Sequence, residues 1–133
     1  FYQGAYQFQK HFFGMVGELA AKGEEFECAK LIDTLPQVQF WIRNLANRPQ
    51  TSFWLQTSTD RFYPDFVAML KDGRIFAIEY KGAHLADSPD TLEKTNIGQL
   101  WAAKSQGKAL FLMAEQKDAQ GHGLADQIAR AIG

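Results

Sequence analysis

Two apolar segments joined by a short turn constrain the fold of this chain more than any other feature of the sequence. DFVAML occupies residues 65–70 and IFAIEYK occupies residues 75–81, and both are rich in branched and aromatic side chains. Between them stands Asp72-Gly73, a dipeptide that supplies the positive backbone angles of a tight reversal. The sequence therefore predicts an antiparallel β-hairpin, around which the other elements must pack.

The segments before the hairpin predict one helix and two strands. From Glu24 to Leu35 the apolar residues recur at spacings of three and four, and Pro36 then ends the helical pattern. VQFWI at 38–42 and SFWLQ at 52–56 carry the aromatic and branched residues that are typical of strands. A helix followed by two strands is therefore expected to precede the hairpin.

The segments after the hairpin predict a helix, a strand and a second helix. An amphipathic pattern covers about 89–105, with Ser88 or Asp90 available as its N-terminal cap. The short apolar run ALFLM at 109–113 is typical of a buried strand, and a helical pattern covers 124–132. This order of elements predicts an α/β or α+β domain in which helices cover a mixed sheet.

The length and the hydrophobic content favour one domain. A chain of 133 residues with 46% hydrophobic content can bury one core, which we expect to lie within 24–133. Residues 1–23 are aromatic and interrupted by glycines, and we expect an N-terminal extension that packs on the core or contacts another domain. Because the first residue is Phe1 rather than Met, we interpret the sequence as a fragment of a longer chain.

Charge and cysteine content limit the classes of function. With 14 basic and 15 acidic residues the net charge is -1, so strong affinity for DNA must come from a local patch or from another domain. One cysteine cannot form an internal disulfide, and no Cys/His spacing resembles a structural zinc site. No apolar run reaches the length of a membrane span. We therefore expect a soluble, cytoplasmic protein.

Asp65, Glu79 and Lys81 form the constellation that carries chemistry. Because side chains alternate along a strand, Glu79 and Lys81 should emerge on one face, and the hairpin should fold Asp65 back toward Glu79. Paired carboxylates repel each other unless a hard cation such as Mg²⁺ lies between them. Such a cation activates water and neutralises charge on a phosphodiester, while a lysine orients the attacking water. The three residues therefore predict a metal-dependent hydrolase.

The same residues resemble those of a known family. The dipeptide PD at 64–65 and the triplet EYK at 79–81 match the pattern of the PD-(D/E)xK nuclease superfamily, whose core has the order α-β-β-β-α-β. The resemblance covers roughly residues 24–113. The stretches WIRN, FYPDFVAML, DGRIFAIEYKG and IGQLWAAKSQGKALFLM look more narrowly like the C-terminal endonuclease domain of type III restriction enzyme large subunits and related helicase-nucleases.

This resemblance implies a restriction-endonuclease-like fold that cleaves DNA with Mg²⁺, for which Mn²⁺ would substitute. It implies that Asp65, Glu79 and Lys81 are catalytic, and that Asp65, Glu79 and the Tyr80 carbonyl are metal ligands. ATP would act only through an upstream helicase or translocase domain of the same chain. A modification or specificity subunit is a further expected partner, and no membrane partner is expected.

Members of the superfamily often add a glutamate from the first helix as a metal ligand, and Glu24, Glu25 and Glu27 compete for that role here. Glu25 precedes Cys28 by three residues and Ile32 by seven, so it shares the stripe of the helix that faces the core. We therefore expect Glu25 to be the ligand. The alternative is that these acids only balance the helix dipole.

Four further residues are candidates for an accessory role. Gln99 holds the position of a glutamine that serves the site in related exonucleases, although Ala103 replaces the tyrosine of that motif. Arg43 and Asn44 follow the first predicted strand, where they would contact a phosphate or brace the site. His84 comes three residues after the EYK triplet and is the histidine best placed to assist.

Several alternatives stay open. A triplet of the form (Asp/Glu)-x-Lys occurs by chance in a chain of this length, as Glu115-Gln116-Lys117 illustrates, so the EYK triplet could form only a surface salt bridge. The nearly balanced charge and the tyrosine missing after Gln99 fit a nuclease-fold module that binds DNA or a partner without catalysis. A nuclease directed at RNA is a third interpretation.

Overall fold

The computed structural model describes residues 1–82 and 88–133. Within these ranges the chain forms three helices, namely α1 (Glu24–Thr34), α2 (Pro89–Ala103) and α3 (Leu124–Ile132). It also forms six strands, namely β1 (Val38–Arg43), β2 (Leu55–Gln56), β3 (Arg61–Phe62), β4 (Phe66–Leu70), β5 (Ile75–Tyr80) and β6 (Ala109–Ala114). Helices pack on a mixed sheet, so the predicted α/β fold is confirmed.

The main sheet has four strands in the order β1-β4-β5-β6. β1, β4 and β5 are antiparallel neighbours, whereas β6 returns parallel to β5 after α2. The elements α1, β1, β4, β5, α2 and β6 follow one another in the predicted α-β-β-β-α-β order. Because β5 and β6 are parallel, their carboxyl ends meet at the same end of the sheet, and the candidate residues lie there.

The β4–β5 hairpin forms as predicted. The backbone N–H of Leu70 donates to the carbonyl of Arg74 at 2.9 Å, and Gly73 has a φ of 92°. That left-handed conformation favours glycine, which explains why the turn contains one. The register pairs Phe66 with Ile78, so the strands extend from the turn toward the candidate site without a slip.

The strand predicted for 52–56 is shorter than expected, and it lies outside the main sheet. Only β2 forms, and it pairs with β3 in a separate two-stranded sheet. The reason is that the Asn44 side chain hydrogen-bonds to both backbone groups of Phe53. Its Oδ1 accepts from the Phe53 N–H at 3.0 Å, and its Nδ2 donates to the Phe53 carbonyl at 2.7 Å. These backbone groups are therefore engaged by a side chain instead of a neighbouring strand.

The core has two parts, one on each face of the main sheet. Phe76 and Ile78 of β5 are buried in the larger cluster, against α1 and α3. Ala77 points to the opposite face and packs with Phe62 and Phe111 on the side covered by α2. β5 thus has the alternation of faces that the sequence predicts.

α2 packs tightly on β6 and also reaches its outer edge. A Cβ atom at Gly98 would lie 2.5 Å from the Phe111 ring, so the helix can approach the strand this closely only with glycine at that position. Ala109 and Phe111 direct their backbone groups away from β5. Ser105 Oγ accepts from the Ala109 N–H at 2.9 Å, and Gln99 Nε2 donates to the Phe111 carbonyl at 3.4 Å. Side chains of α2 and its C-terminal end therefore occupy this edge.

The N-terminal extension packs on the core and along the edge of β1. Val16 and Leu19 are buried in the larger cluster. The Phe12 N–H donates to the Trp41 carbonyl at 2.8 Å, and the Trp41 N–H donates to the Lys10 carbonyl at 3.0 Å. Backbone hydrogen bonds thus join the extension to the outer strand of the sheet.

Asp33 of α1 ties the extension to the core. It is 2% exposed, and its carboxylate accepts hydrogen bonds from the Tyr6 hydroxyl (2.8 Å), the backbone N–H groups of Gln9 (2.9 Å) and Lys10 (2.8 Å), and the Trp41 indole N–H (2.9 Å). Burial by itself raises the pKa of Asp33, but these hydrogen bonds outweigh it, so the pKa lies below its usual value. Asp33 is therefore a carboxylate that the fold fully accommodates.

Candidate active site

Asp65 and Glu79 lie side by side at the end of the hairpin. Val67 pairs with Ala77, so the next step of the same register places Asp65 opposite Glu79. The Asp65 N–H donates to Glu79 Oε1 at 3.0 Å, and the Tyr80 N–H donates to Asp65 Oδ2 at 2.8 Å. The side chains are 21% and 15% exposed. The structure thus brings the two predicted carboxylates together in a partly open position.

Arg43 links this pair to the first helix. Its Nη1 atom lies 2.8 Å from Glu25 Oε1 and 3.2 Å from Asp65 Oδ1, so one nitrogen bridges two carboxylates. Its other nitrogens donate to the carbonyl of Glu18 at 3.2 and 3.3 Å. Of the two roles predicted for Arg43, the structure therefore supports bracing, because the guanidinium is already engaged by protein oxygens.

Of the three glutamates that competed for a place in the site, Glu25 is the one that reaches Asp65 through Arg43. Glu24 instead accepts from the Tyr80 hydroxyl at 2.9 Å, and Glu27 is exposed on α1. The helical spacing therefore selected the glutamate that faces the carboxylate pair. Whether Glu25 binds a metal stays a prediction, as does the same role for the Tyr80 carbonyl.

The two glutamates beside Asp65 lie in surroundings that oppose their ionised forms. Burial raises the pKa of Glu79 to about 9, and the neighbouring charge of Asp65 adds to the effect, while Lys94 opposes it. Burial also raises the pKa of Glu25, again with a contribution from Asp65 and with Arg43 opposing it. The two nearby cations therefore compensate the crowding of negative charge only in part.

Asn44 braces the segment that contains Asp65. The Asn44 side chain is buried, and its Nδ2 donates to the Pro64 carbonyl at 2.9 Å as well as to Phe53. Its backbone N–H donates to the Asp65 carbonyl at 2.9 Å. For Asn44, too, the structure supports bracing over contact with a phosphate.

Lys81 follows Glu79 at the end of β5. Its Nζ lies 3.4 Å from Glu115 Oε2, and its backbone N–H donates to the Ala114 carbonyl at 2.9 Å. The parallel register pairs Tyr80 with Ala114, which puts Glu115 beside Lys81. From the sequence alone, Glu115 is only part of a triplet that occurs by chance. Its position two residues after the strand predicted at 109–113 was the signal that could have identified it.

Lys94 of α2 is a second residue near the site that the sequence patterns did not predict. Its Nζ lies 3.8 Å from Glu79 Oε2 and 3.2 Å from Asp90 Oδ2. It also lies over the Phe62 ring, 5.4 Å from the ring centre. The sequence spacing of Asp90 and Lys94 indicates a pair on the helix surface, but nothing in it indicates Glu79 as a neighbour.

Gln99 and His84 are the two accessory candidates that remain. Gln99 donates to β6, as described above, and it lines an open cavity of about 710 Å³ with Gln127 and Arg130. The structure therefore supports a packing role for Gln99. His84 lies outside the described residues, so its accessory role stays a prediction.

The site suits a metal with few protein ligands better than one enclosed by protein. Among residues 1–82 and 88–133, no three His, Cys, Asp or Glu side chains form a group that could hold a metal ion. Mg²⁺, however, commonly takes only one or two carboxylates and completes its shell with water and phosphate oxygens. Asp65 and Glu79 are adjacent, partly exposed and carry the hard oxygen donors that such an ion prefers. The donor set therefore fits a magnesium site of this kind.

Comparison with protein-family models, with curated proteins and with solved structures found no match. In the part of the chain that the structure describes, no helix has the length and apolar character needed to cross a bilayer. Support for a function therefore comes from the geometry of Asp65, Glu79 and Lys81 and from the motif that contains them.

Proposed function

We propose that this chain is a metal-dependent endonuclease domain that hydrolyses phosphodiester bonds of DNA. The observation that carries the proposal is the Asp65–Glu79 pair, which two hydrogen bonds from backbone N–H groups fix at a partly open end of the sheet. A motif that arose by chance would have no reason to place its two acids opposite each other on adjacent strands. Here both acids project where a substrate can approach them.

In this proposal Asp65 and Glu79 would hold Mg²⁺, and Glu25 and the Tyr80 carbonyl are the further ligands that the motif predicts. Bound there, the metal would lower the pKa of a water molecule and offset the charge that develops on the phosphate. Lys81 orients the attacking water, and its contact with Glu115 at 3.4 Å limits where its ammonium group can move. Arg43 keeps Glu25 and Asp65 within reach of each other.

The resemblance to type III restriction enzymes extends the proposal to partners. An upstream helicase or translocase domain of the same chain would deliver DNA in an ATP-dependent manner, and a modification or specificity subunit would direct the cut. The net charge of -1 agrees with this division of labour, because other parts would then supply most of the attraction to DNA.

Plasmid cleavage tests the proposal. In the full-length protein, which includes the proposed upstream domain, and with Mg²⁺ and ATP present, Lys81→Ala is expected to lower the rate of cutting by about 100-fold or more, as loss of one charge-stabilising group does in other hydrolases. Lys71→Ala is the matched control, since Lys71 is exposed at the turn end of the hairpin, away from the acids. Equal cutting by the Lys81→Ala variant and the unchanged protein would contradict the assignment.

A non-catalytic module is the second candidate. The ion pairs that the carboxylates already form with side chains of the protein favour it. Arg43 and Lys94 lie against Asp65 and Glu79, so the acids already have positively charged neighbours without a metal. Titration calorimetry with Mn²⁺ separates the two candidates. Binding that is lost in Asp65→Asn supports the nuclease, whereas no binding at millimolar Mn²⁺ supports the module.

A further inference from the structure

The oxygens of Asp65 and Glu79 divide into two kinds. Asp65 Oδ2 and Glu79 Oε1 accept hydrogen bonds from backbone N–H groups, which hold the carboxylates in position. Asp65 Oδ1 and Glu79 Oε2 lie instead beside the side-chain cations of Arg43 and Lys94, at 3.2 and 3.8 Å. The oxygens that a metal would use are therefore those that face protein cations.

Arg43 occupies its position more firmly than Lys94 does. Its side chain is 11% exposed, its guanidinium lies over the Phe66 ring, and the Glu18 carbonyl accepts from two of its nitrogens. Its Nη1 is surrounded by three oxygens, namely Glu25 Oε1 at 2.8 Å and Asp65 Oδ1 and the Asp65 carbonyl at 3.2 and 3.3 Å. Lys94, on the surface of α2, also contacts Asp90.

Arg43 Nη1 and a metal ion cannot both lie between Glu25 and Asp65. Mg²⁺ binds oxygen at about 2.0–2.1 Å, so an ion held by Glu25 and Asp65 would need the space between the two carboxylates that Nη1 fills, at 2.8 and 3.2 Å from their oxygens. The electrostatics agree with such an exchange, because a divalent cation would compensate the crowded carboxylates better than one guanidinium does.

We infer that Arg43 is an internal counter-ion of this site, which holds Glu25 and Asp65 together until a divalent cation displaces its Nη1 atom. Arg43 is then a positioning residue that sets the metal affinity. The inference rests on the proposed metal site and adds to it a competitor built into the chain. It predicts that removal of the Arg43 charge strengthens metal binding. If Arg43 only held the ligands in position, its removal would weaken metal binding.

Calorimetry with Mn²⁺ on Arg43→Gln gives the first test. The affinity for Mn²⁺ is expected to rise by about tenfold or more, because a positive charge next to the site is removed. Without metal, the melting temperature of Arg43→Gln should be lower than that of the unchanged protein. On addition of Mn²⁺, it should rise by more than the melting temperature of the unchanged protein does. Arg61→Gln is the control, since Arg61 is exposed on β3 and stacks over Trp54. Equal or weaker Mn²⁺ binding by Arg43→Gln would overturn the inference.

NMR spectroscopy of the unchanged protein gives a second test, which does not depend on how a variant folds. With ¹⁵N-labelled arginine, the assigned Nε–H signal of Arg43 is expected to shift during a Mg²⁺ titration, while that of Arg61 stays in place. If calorimetry detects metal binding and the Arg43 signal does not respond, the inference fails and the proposed nuclease stands. If no metal binds at all, the inference and the proposed function both fail.

Discussion

Asp33 and the two glutamates beside Asp65, namely Glu25 and Glu79, lie in environments that shift the carboxyl pKa in opposite directions. Asp33 accepts hydrogen bonds from four donor groups, and its pKa lies below the usual value. Glu25 and Glu79 flank Asp65, and burial and the charge of Asp65 raise the pKa of both. The first arrangement stabilises an ionised acid, and the second opposes one.

The contrast separates a structural carboxylate from a candidate functional one. Around Asp33 the donors outnumber the carboxylate oxygens, so the folded state needs nothing more at that point. Around Asp65 the ion pairs of the described residues join three acids, Glu25, Asp65 and Glu79, with Arg43 and Lys94. An added cation would therefore stabilise the carboxylates around Asp65, whereas it would add little stability at Asp33.

The largest effect that would sharpen this comparison is the loss of Asp33. Asp33→Asn is expected to lower the free energy of unfolding by about 3 kcal/mol, because buried donors lose a charged acceptor and one of its two oxygens. Urea denaturation measures the change. Asp126→Asn, at an exposed position in the first turn of α3, is the control and should cost about 0.5 kcal/mol. Equal losses in the two variants would remove the distinction.

The opposite sign is expected for the acid in the candidate site. Glu79→Gln should raise the free energy of unfolding of the metal-free protein by about 1–2 kcal/mol at neutral pH, because it removes an acid whose pKa is raised to about 9. The glutamine keeps an oxygen that can accept from the Asp65 N–H. Glu27→Gln on the exposed face of α1 should change little. A destabilised Glu79→Gln protein would break the comparison.

The pH dependence of stability should also distinguish the groups. The folded-state pKa of Asp33 lies below its ordinary value of 3.8, so its ionised form stabilises the protein above that pH, and the contribution is lost as the pH falls through the lowered value. Asp33→Asn should therefore remove part of the acid-side decline in stability. Denaturation curves between pH 5 and pH 2 measure that decline, and an unchanged profile in the variant would contradict the assignment.

The smallest expected effect concerns Lys94. Its removal in Lys94→Ala should lower the free energy of unfolding of the metal-free protein by about 0.5 kcal/mol, because the pair with Glu79 is long and partly exposed. Lys104→Ala, at the exposed end of α2, is the control. In a Glu79→Gln background the loss caused by Lys94→Ala should become smaller, because only the contact with Asp90 remains, and an unchanged loss would show that Lys94 and Glu79 do not interact.

Much of the fold follows from local rules. The Asp-Gly turn and the alternation of strand faces predict that Asp65 and Glu79 meet, and helical spacing singles out Glu25. The small β2–β3 sheet could not be predicted in this way, because it depends on how Asn44 binds a distant segment of backbone. Such contacts form between elements that are far apart in the sequence.

The same limit applies to the site. The sequence allowed two roles for Arg43, contact with a phosphate or bracing of the site. The packing of α1 against β1 determines which oxygens its guanidinium contacts. Glu115 and Lys94 come close to the motif only when β6 and α2 are in place. Short-range patterns therefore predict which side chains start near each other, and tertiary structure determines how their charges are paired.

Other parts of the chain hydrogen-bond to the outer sides of β1 and β6, and this affects how the protein should behave at high concentration. Residues of the N-terminal extension hydrogen-bond to β1, and Ser105 and Gln99 occupy backbone groups of β6. Strands exposed at a sheet rim are templates on which other chains polymerise into fibrils. Here both rims are partly blocked from within, so loss of the extension or of those two polar side chains should first be visible as self-association.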